Sequence, residues 1–125
     1  MQLPTDRKYA STHEWVLIEG DTLLVGITDF AQDQLGDLVF VGDFAEQTQL
    51  KAGDVAAVVE SVKTASDIYA PVAGEVLEFN QHLSDAPELI NEQPYKAWIF
   101  KLKPANLDDV EQLLDAEQYS AEQED

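Results

Sequence analysis

Hydrophobic positions along this chain fall in short runs, each closed by Gly, Asp or Pro. That is the pattern of short strands separated by turns rather than of long helices. Residues 15–18 (Trp-Val-Leu-Ile) and 22–27 (Thr-Leu-Leu-Val-Gly-Ile) flank Glu19-Gly20-Asp21 and predict a hairpin. Residues 38–41 form a short apolar run that stops at Gly42-Asp43, and Gly53-Asp54 opens a β-branched stretch over 55–62. Residues 75–79 alternate loosely after Gly74. Late in the chain, period-two spacing predicts a strand with Trp98, Phe100 and Leu102 on one face and Lys101 and Lys103 on the other.

Two segments have helical spacing instead. Thr28 can cap a short helix that places Ala31 and Leu35 one turn apart and stops at Gly36. Near the end, Asn106 can cap a helix with Asp108 and Asp109 in its first turn, where the helix dipole favours acids. Leu107, Val110, Leu113 and Leu114 would line one face of it, and residues 120–125 would follow as a frayed acidic tail. Gly36-Asp37-Leu38-Val39 and Gly53-Asp54-Val55-Ala56 share a faint Gly-Asp-apolar-apolar form. No low-complexity stretch or interdomain linker interrupts the pattern. The expectation is one mainly β domain over residues 1–125, a hybrid of sandwich and flattened barrel, with short helices and one of them C-terminal.

Composition narrows the function classes. At 125 residues and 45% apolar, the chain has the length and core material of a single globular domain. Seven Lys plus Arg stand against 25 Asp plus Glu, for a formal net charge of −18. Such a surface repels nucleic acid and anionic membranes, and it suits either plain solubility or steering toward basic partner proteins. With no cysteine, disulfides, thiolate metal sites and a cysteine nucleophile are all excluded. His13 and His82 are the only histidines, too few to assemble a metal cluster or a nucleophile–base pair, so neither a metal site nor enzymatic activity is expected. Trp15 and Trp98 read as core anchors, and Gly53 and Gly74 as turn residues. No apolar run approaches the length of a membrane span, and residues 1–9 lack the apolar core of a signal peptide. A cytoplasmic, bacterial protein is the simplest expectation, with a processed organelle protein as the alternative.

The informative stretch is Glu60-Ser-Val-Lys63-Thr-Ala-Ser-Asp67-Ile-Tyr-Ala-Pro-Val-Ala-Gly-Glu-Val76. It reads as strand, small polar interruption bearing one lysine, second strand, then a Pro-and-Gly turn. A hairpin tip of this kind pushes Lys63 into water between Glu60 and Asp67. Taken alone, the pattern favours an ordinary solvated lysine, because exposed turn lysines are common.

The stretch resembles the lipoyl-lysine motif of glycine cleavage H proteins. Four further blocks resemble that family in the same order: residues 9–16 (Tyr-Ala-Ser-Thr-His-Glu-Trp-Val), 25–41, 87–95 (Pro-Glu-Leu-Ile-Asn-Glu-Gln-Pro-Tyr) and 114–119. One departure is Pro94-Tyr95-Lys96-Ala97-Trp98, which is shorter than the family's usual segment and lacks its glycine. It puts in doubt any partner contact made there.

The resemblance implies a carrier of the lipoyl/biotinyl fold with lipoate in amide linkage on Lys63. It implies a cleft that shelters the loaded arm, with Thr12, Glu14 and Asp67 at the matching positions. It also implies an aminomethyl shuttle between a pyridoxal-phosphate glycine decarboxylase, a folate-dependent aminomethyltransferase and a flavin-dependent dihydrolipoamide dehydrogenase. A lipoate ligase or a lipoyl/octanoyl transferase would load the arm, and the strong acidity together with transient visiting of partners favours a monomer. The alternative is an H-like relay that donates lipoate to other complexes through the same Lys63. A biotin carrier would bracket its lysine with methionines, whereas Val62 and Thr64 stand here. The lipoyl domain of a 2-oxoacid dehydrogenase complex would read Asp-Lys-Ala at the tip.

Overall fold

The computed structural model describes residues 3–123. Two antiparallel sheets enclose one main core. The larger has six strands in the order β1-β2-β3-β9-β8-β5, and the smaller has three in the order β4-β6-β7. The strands are β1 (Lys8–Tyr9), β2 (Glu14–Glu19), β3 (Thr22–Ile27), β4 (Leu38–Gly42), β5 (Gln49–Leu50), β6 (Val55–Ser61), β7 (Ala65–Tyr69), β8 (Gly74–Phe79) and β9 (Phe100–Pro104). Helices α1 (Asp29–Leu35), α2 (His82–Asp85), α3 (Glu88–Glu92) and α4 (Ala116–Glu122) are all short. No helix among the described residues is long and apolar enough to cross a membrane.

Local chemistry accounts for the elements the pattern predicts. In the β2–β3 hairpin Glu19 pairs with Thr22, and Gly20 takes φ +65° at the first position of the turn. Thr28 caps α1 by accepting from the Ala31 amide, and Gly36, at φ +84°, ends it. The main core draws Val16, Leu23 and Val25 from the large sheet and Val41, Val59 and Ile68 from the small one. Each of these six side chains is at most 2% exposed, so transfer of apolar area from water is the main stabilising term.

A second cluster of Tyr9, Trp15 and Tyr119 lies apart from that core, with Leu17, Leu24, Tyr95 and Trp98 packed against it. Trp98 therefore does not share a face with Phe100 and Leu102. It precedes β9, which starts at Phe100, and belongs to the other cluster, where Lys101 Nζ lies 5.1 Å from its ring. Gly26 is required here, because a Cβ would come within 2.6 Å of the Trp15 ring.

The C-terminal helix is also corrected. Asn106 does cap, but what it opens is a 3-10 helix over Leu107–Gln112, and Leu113 is extended. Leu114 pairs with Tyr9 instead, through two backbone hydrogen bonds of 2.7 and 2.8 Å. Asp115 then starts α4 with a capping box to Gln118. Residues 120–122 form the last turn of this helix rather than part of a frayed tail, and residues 124–125 lie outside the described residues. Gly74 is not a turn residue: it opens β8, and a Cβ there would run into the Lys103 carbonyl across the sheet.

Candidate functional site

The small sheet presents Lys63. Strands β6 and β7 pair with Val58 opposite Asp67 and Glu60 opposite Ala65. The Ser61 amide donates to the Thr64 carbonyl at 2.7 Å, which leaves Val62 and Lys63 as a two-residue tip. Val62 in turn donates to the Asp37 carbonyl at 3.1 Å, so the tip rests on the turn between α1 and β4. Lys63 is exposed and joins no ion pair among the described residues. Its stem lies over Gly36: a methyl group there would sit 3.4 Å from Cε and 3.9 Å from Nζ. The ammonium thus lies at the C-terminal end of α1, where unpaired carbonyls favour a cation.

A cleft of about 280 Å³ lies between α1 and β7, its helix wall reaching Leu35, the neighbour of Gly36. Phe30, Ala31, Gln34 and Leu35 form one wall, Ser66, Asp67 and Ile68 the other, and Thr12 and His13 close it. The Thr28 amide donates to the His13 carbonyl, which places His13 at the N-terminal end of α1, opposite Lys63. Seven helical residues rise about 10 Å, so the lysine and the closed end are about one short helix apart.

Glu14 sits directly behind Thr12. It is 1% exposed, accepts a short hydrogen bond from the Thr12 hydroxyl, and accepts from the Tyr69 amide at 3.2 Å. Burial pushes its carboxyl up to about 7, and both hydrogen bonds act against that rise. His13 is held in a left-handed conformation, φ +81°, with Nδ1 2.6 Å from the Tyr119 hydroxyl. That hydroxyl is 2.8 Å from Thr28 Oγ1, and burial lowers the His13 pKa, which favours the neutral imidazole. The closed end of the cleft is therefore pinned from behind by Tyr119 on α4.

Of the residues singled out from sequence, Thr12 and Asp67 line this one cleft, Glu14 lies behind Thr12, and Lys63 stands outside the lining, over Gly36 next to the lining residue Leu35. Sequence reasoning set His13 aside as structural, and it missed Phe30, Gln34, Ser66 and Ile68 as lining residues. Ala31 and Leu35 were legible as one face of a helix, but the spacing could not say that this face borders a cleft as well as the core. No residue of the Pro94–Trp98 segment lines the cleft, although the Tyr95 hydroxyl accepts from the Asp29 amide at the start of α1 at 3.1 Å. Trp15 Nε1 donates to the Pro94 carbonyl at 2.9 Å, and Arg7 stacks 4.7 Å over the Trp15 ring.

The apolar wall of Phe30, Ala31, Leu35, Ile27 and Ile68 suits an alkyl chain. Thr12 at the closed end, with the Glu14 carboxyl behind it, and Asp67 on the wall suit a primary ammonium. A methylene arm fixed to Lys63 with a cationic end group fits that order of surfaces.

Comparison with known proteins agrees in length and in fold. The family model described as glycine cleavage H-protein matches residues 7–125. A curated glycine cleavage system H protein of Bordetella pertussis is 64% identical over 121 residues, 97% of this chain and 98% of that one. Its counterpart from Thermus thermophilus is 58% identical over 120 residues, 95% of this chain and 94% of that one. Among solved structures, a glycine cleavage system H protein from Mycobacterium marinum superposes with a TM-score of 0.85 at 38% identity, covering 96% of this chain and 98% of that one.

Proposed function

The chain belongs to the glycine cleavage H-protein family, and from that membership we propose that it is a lipoyl carrier whose attachment site is Lys63. The observation that carries the reading is the placement of an exposed lysine on a two-residue tip over Gly36, beside a cleft lined by Thr12 and backed there by the buried Glu14. Lipoate, when attached, supplies a disulfide at the end of a flexible arm and the thiol chemistry that follows from it.

The chain's own residues supply position and shelter. The Lys63 amine forms the amide, which removes the ammonium from the end of α1. Gly36, held at φ +84°, ends α1 directly beneath the Lys63 stem. Phe30, Leu35 and Ile68 cover the methylenes and exclude water from them. Thr12 and Asp67 face a primary ammonium in the cleft, and its positive charge in front of the buried Glu14 would draw the Glu14 proton off.

In this role the chain catalyses nothing. Its partners are a pyridoxal-phosphate glycine decarboxylase, a folate-dependent aminomethyltransferase, a flavin-dependent dihydrolipoamide dehydrogenase and the enzyme that attaches lipoate. Tethering keeps the arm at high local concentration wherever the carrier docks.

The test is incubation with a lipoate ligase, ATP and lipoate, followed by intact mass and peptide mapping. One lipoyl increment on Lys63 is expected. Lys63→Arg should fold normally, take no increment and support no glycine-dependent exchange. An increment on another lysine, or activity in Lys63→Arg, would sink the assignment.

A further inference from the structure

We propose that Ser61 is a positioning residue for the modification of Lys63, its hydroxyl fixing the turn that presents the amine to the acylating enzyme. The inference rests on Lys63 being the attachment site, and it adds a requirement on the backbone beneath it.

The loop between Ser61 and Thr64 has only two residues, and hairpin loops of that length normally use turns with positive φ, whose twist matches the strands. Among the described residues, His13 and Asp43 are the only non-glycines with positive φ, so neither Val62 nor Lys63 adopts such a turn. A turn without positive φ tends to splay the strands it joins, and something must hold its mouth closed. The Ser61 hydroxyl does so. Its oxygen accepts from the Lys63 amide at 3.2 Å and from the Thr64 amide at 3.1 Å, and it donates to the Thr64 carbonyl at 3.2 Å. Ser61 is only 9% exposed, so water competes little for these bonds.

With Ser61 N–H on Thr64 and Val62 N–H on Asp37, every amide from 61 to 64 is engaged. Val62 meanwhile stays 73% exposed, an apolar side chain held out in water by an ordered backbone. The tip thus joins a fixed main chain to a free lysine side chain.

That combination suits acyl transfer from an activated donor. The deprotonated Lys63 amine attacks the carbonyl carbon of a lipoyl adenylate. The C–N bond forms as the C–O bond to the nucleotide breaks, AMP leaves, and the amine gives up its second proton. A tip already ordered in the free carrier spares the complex the entropy of ordering it, which raises the rate of productive encounter.

Ser61→Ala and Ser61→Thr, made in the full chain, separate this role from a merely structural one. Circular dichroism should show both folded, and amide hydrogen exchange at Lys63 and Thr64 should speed up in Ser61→Ala alone. With lipoate ligase, ATP and lipoate, kcat/KM for Ser61→Ala should fall about tenfold, the worth of one such hydrogen bond, while Ser61→Thr should recover most of it. Modification of Ser61→Ala at the wild-type rate would overturn the proposal, as would a Ser61→Thr as slow as Ser61→Ala. A wild-type chain that takes no lipoyl group on Lys63 would remove the underlying assignment as well, so the wild-type control tells the two failures apart.

Discussion

Glu14 keeps a carboxyl group where 1% of its surface meets water, and its two donors do not make up for the lost hydration. Its folded-state pKa is about 7, against about 4.3 in an unfolded chain. Between those values the folded chain holds the proton that the unfolded chain has released, so stability falls as pH rises through the window. The stabilisation is whole below about pH 4 and is lost by about pH 8, roughly 4 kcal/mol in all. Glu14→Gln keeps the shape and removes the titration. Urea unfolding across that range should therefore show the variant gaining on the wild type as pH rises. A difference independent of pH would mean that Glu14 ionises in the fold without cost.

Among the elements, α3 matters out of proportion to its five residues. Asn91 donates to Gln32 Oε1 and to the Gly36 carbonyl, both at 2.9 Å, and accepts from the Leu38 amide at 2.9 Å. It thereby ties the end of α1 to the start of β4, on either side of the Asp37 carbonyl that holds Val62. Asn91→Ala leaves those backbone groups without partners and should lower stability by about 2–3 kcal/mol, read from the urea midpoint at unchanged m-value. A loss under about 0.5 kcal/mol would show that water replaces the side chain at no cost.

At the scale of the whole molecule, 25 acidic side chains face seven basic ones. Among the described residues only Arg7–Asp6 and Lys101–Glu78 form ion pairs. Most of the surface charge therefore repels, and the folded state concentrates it. Salt shortens the reach of that repulsion to about 10 Å at 0.1 M and about 3 Å at 1 M. The melting temperature should accordingly rise by several degrees between low and high sodium chloride. An unchanged melting temperature would mean that the carboxylates are spaced widely enough not to interact.

What the sequence by itself determined is what acts within a few residues. Apolar runs on either side of Glu19-Gly20-Asp21 set β2 and β3, loose alternation set β8, the pair Thr28 and Gly36 set both ends of α1, and turn chemistry put Lys63 at a tip. Each of these depends on neighbours close along the chain. The capping box Asp115–Gln118 is equally local, but the sequence reading ran one apolar stripe through Leu114 and missed it. Tertiary structure decided the rest. Leu114 leaves the helical pattern because Tyr9, more than a hundred positions away, offers its backbone. Trp98 leaves its strand face because Trp15 and Tyr119 form a second cluster that accepts it. The two-residue strands β1 and β5 exist only through their partners, which give them the hydrogen bonds their length cannot. The cleft, too, is a product of distance along the chain. Its walls come from residues 12–13, 27–35 and 66–68, and the buried state of Glu14 depends on Tyr69 meeting it from another sheet. Burial is a property of what packs on a residue, and no period or cap along the sequence encodes it.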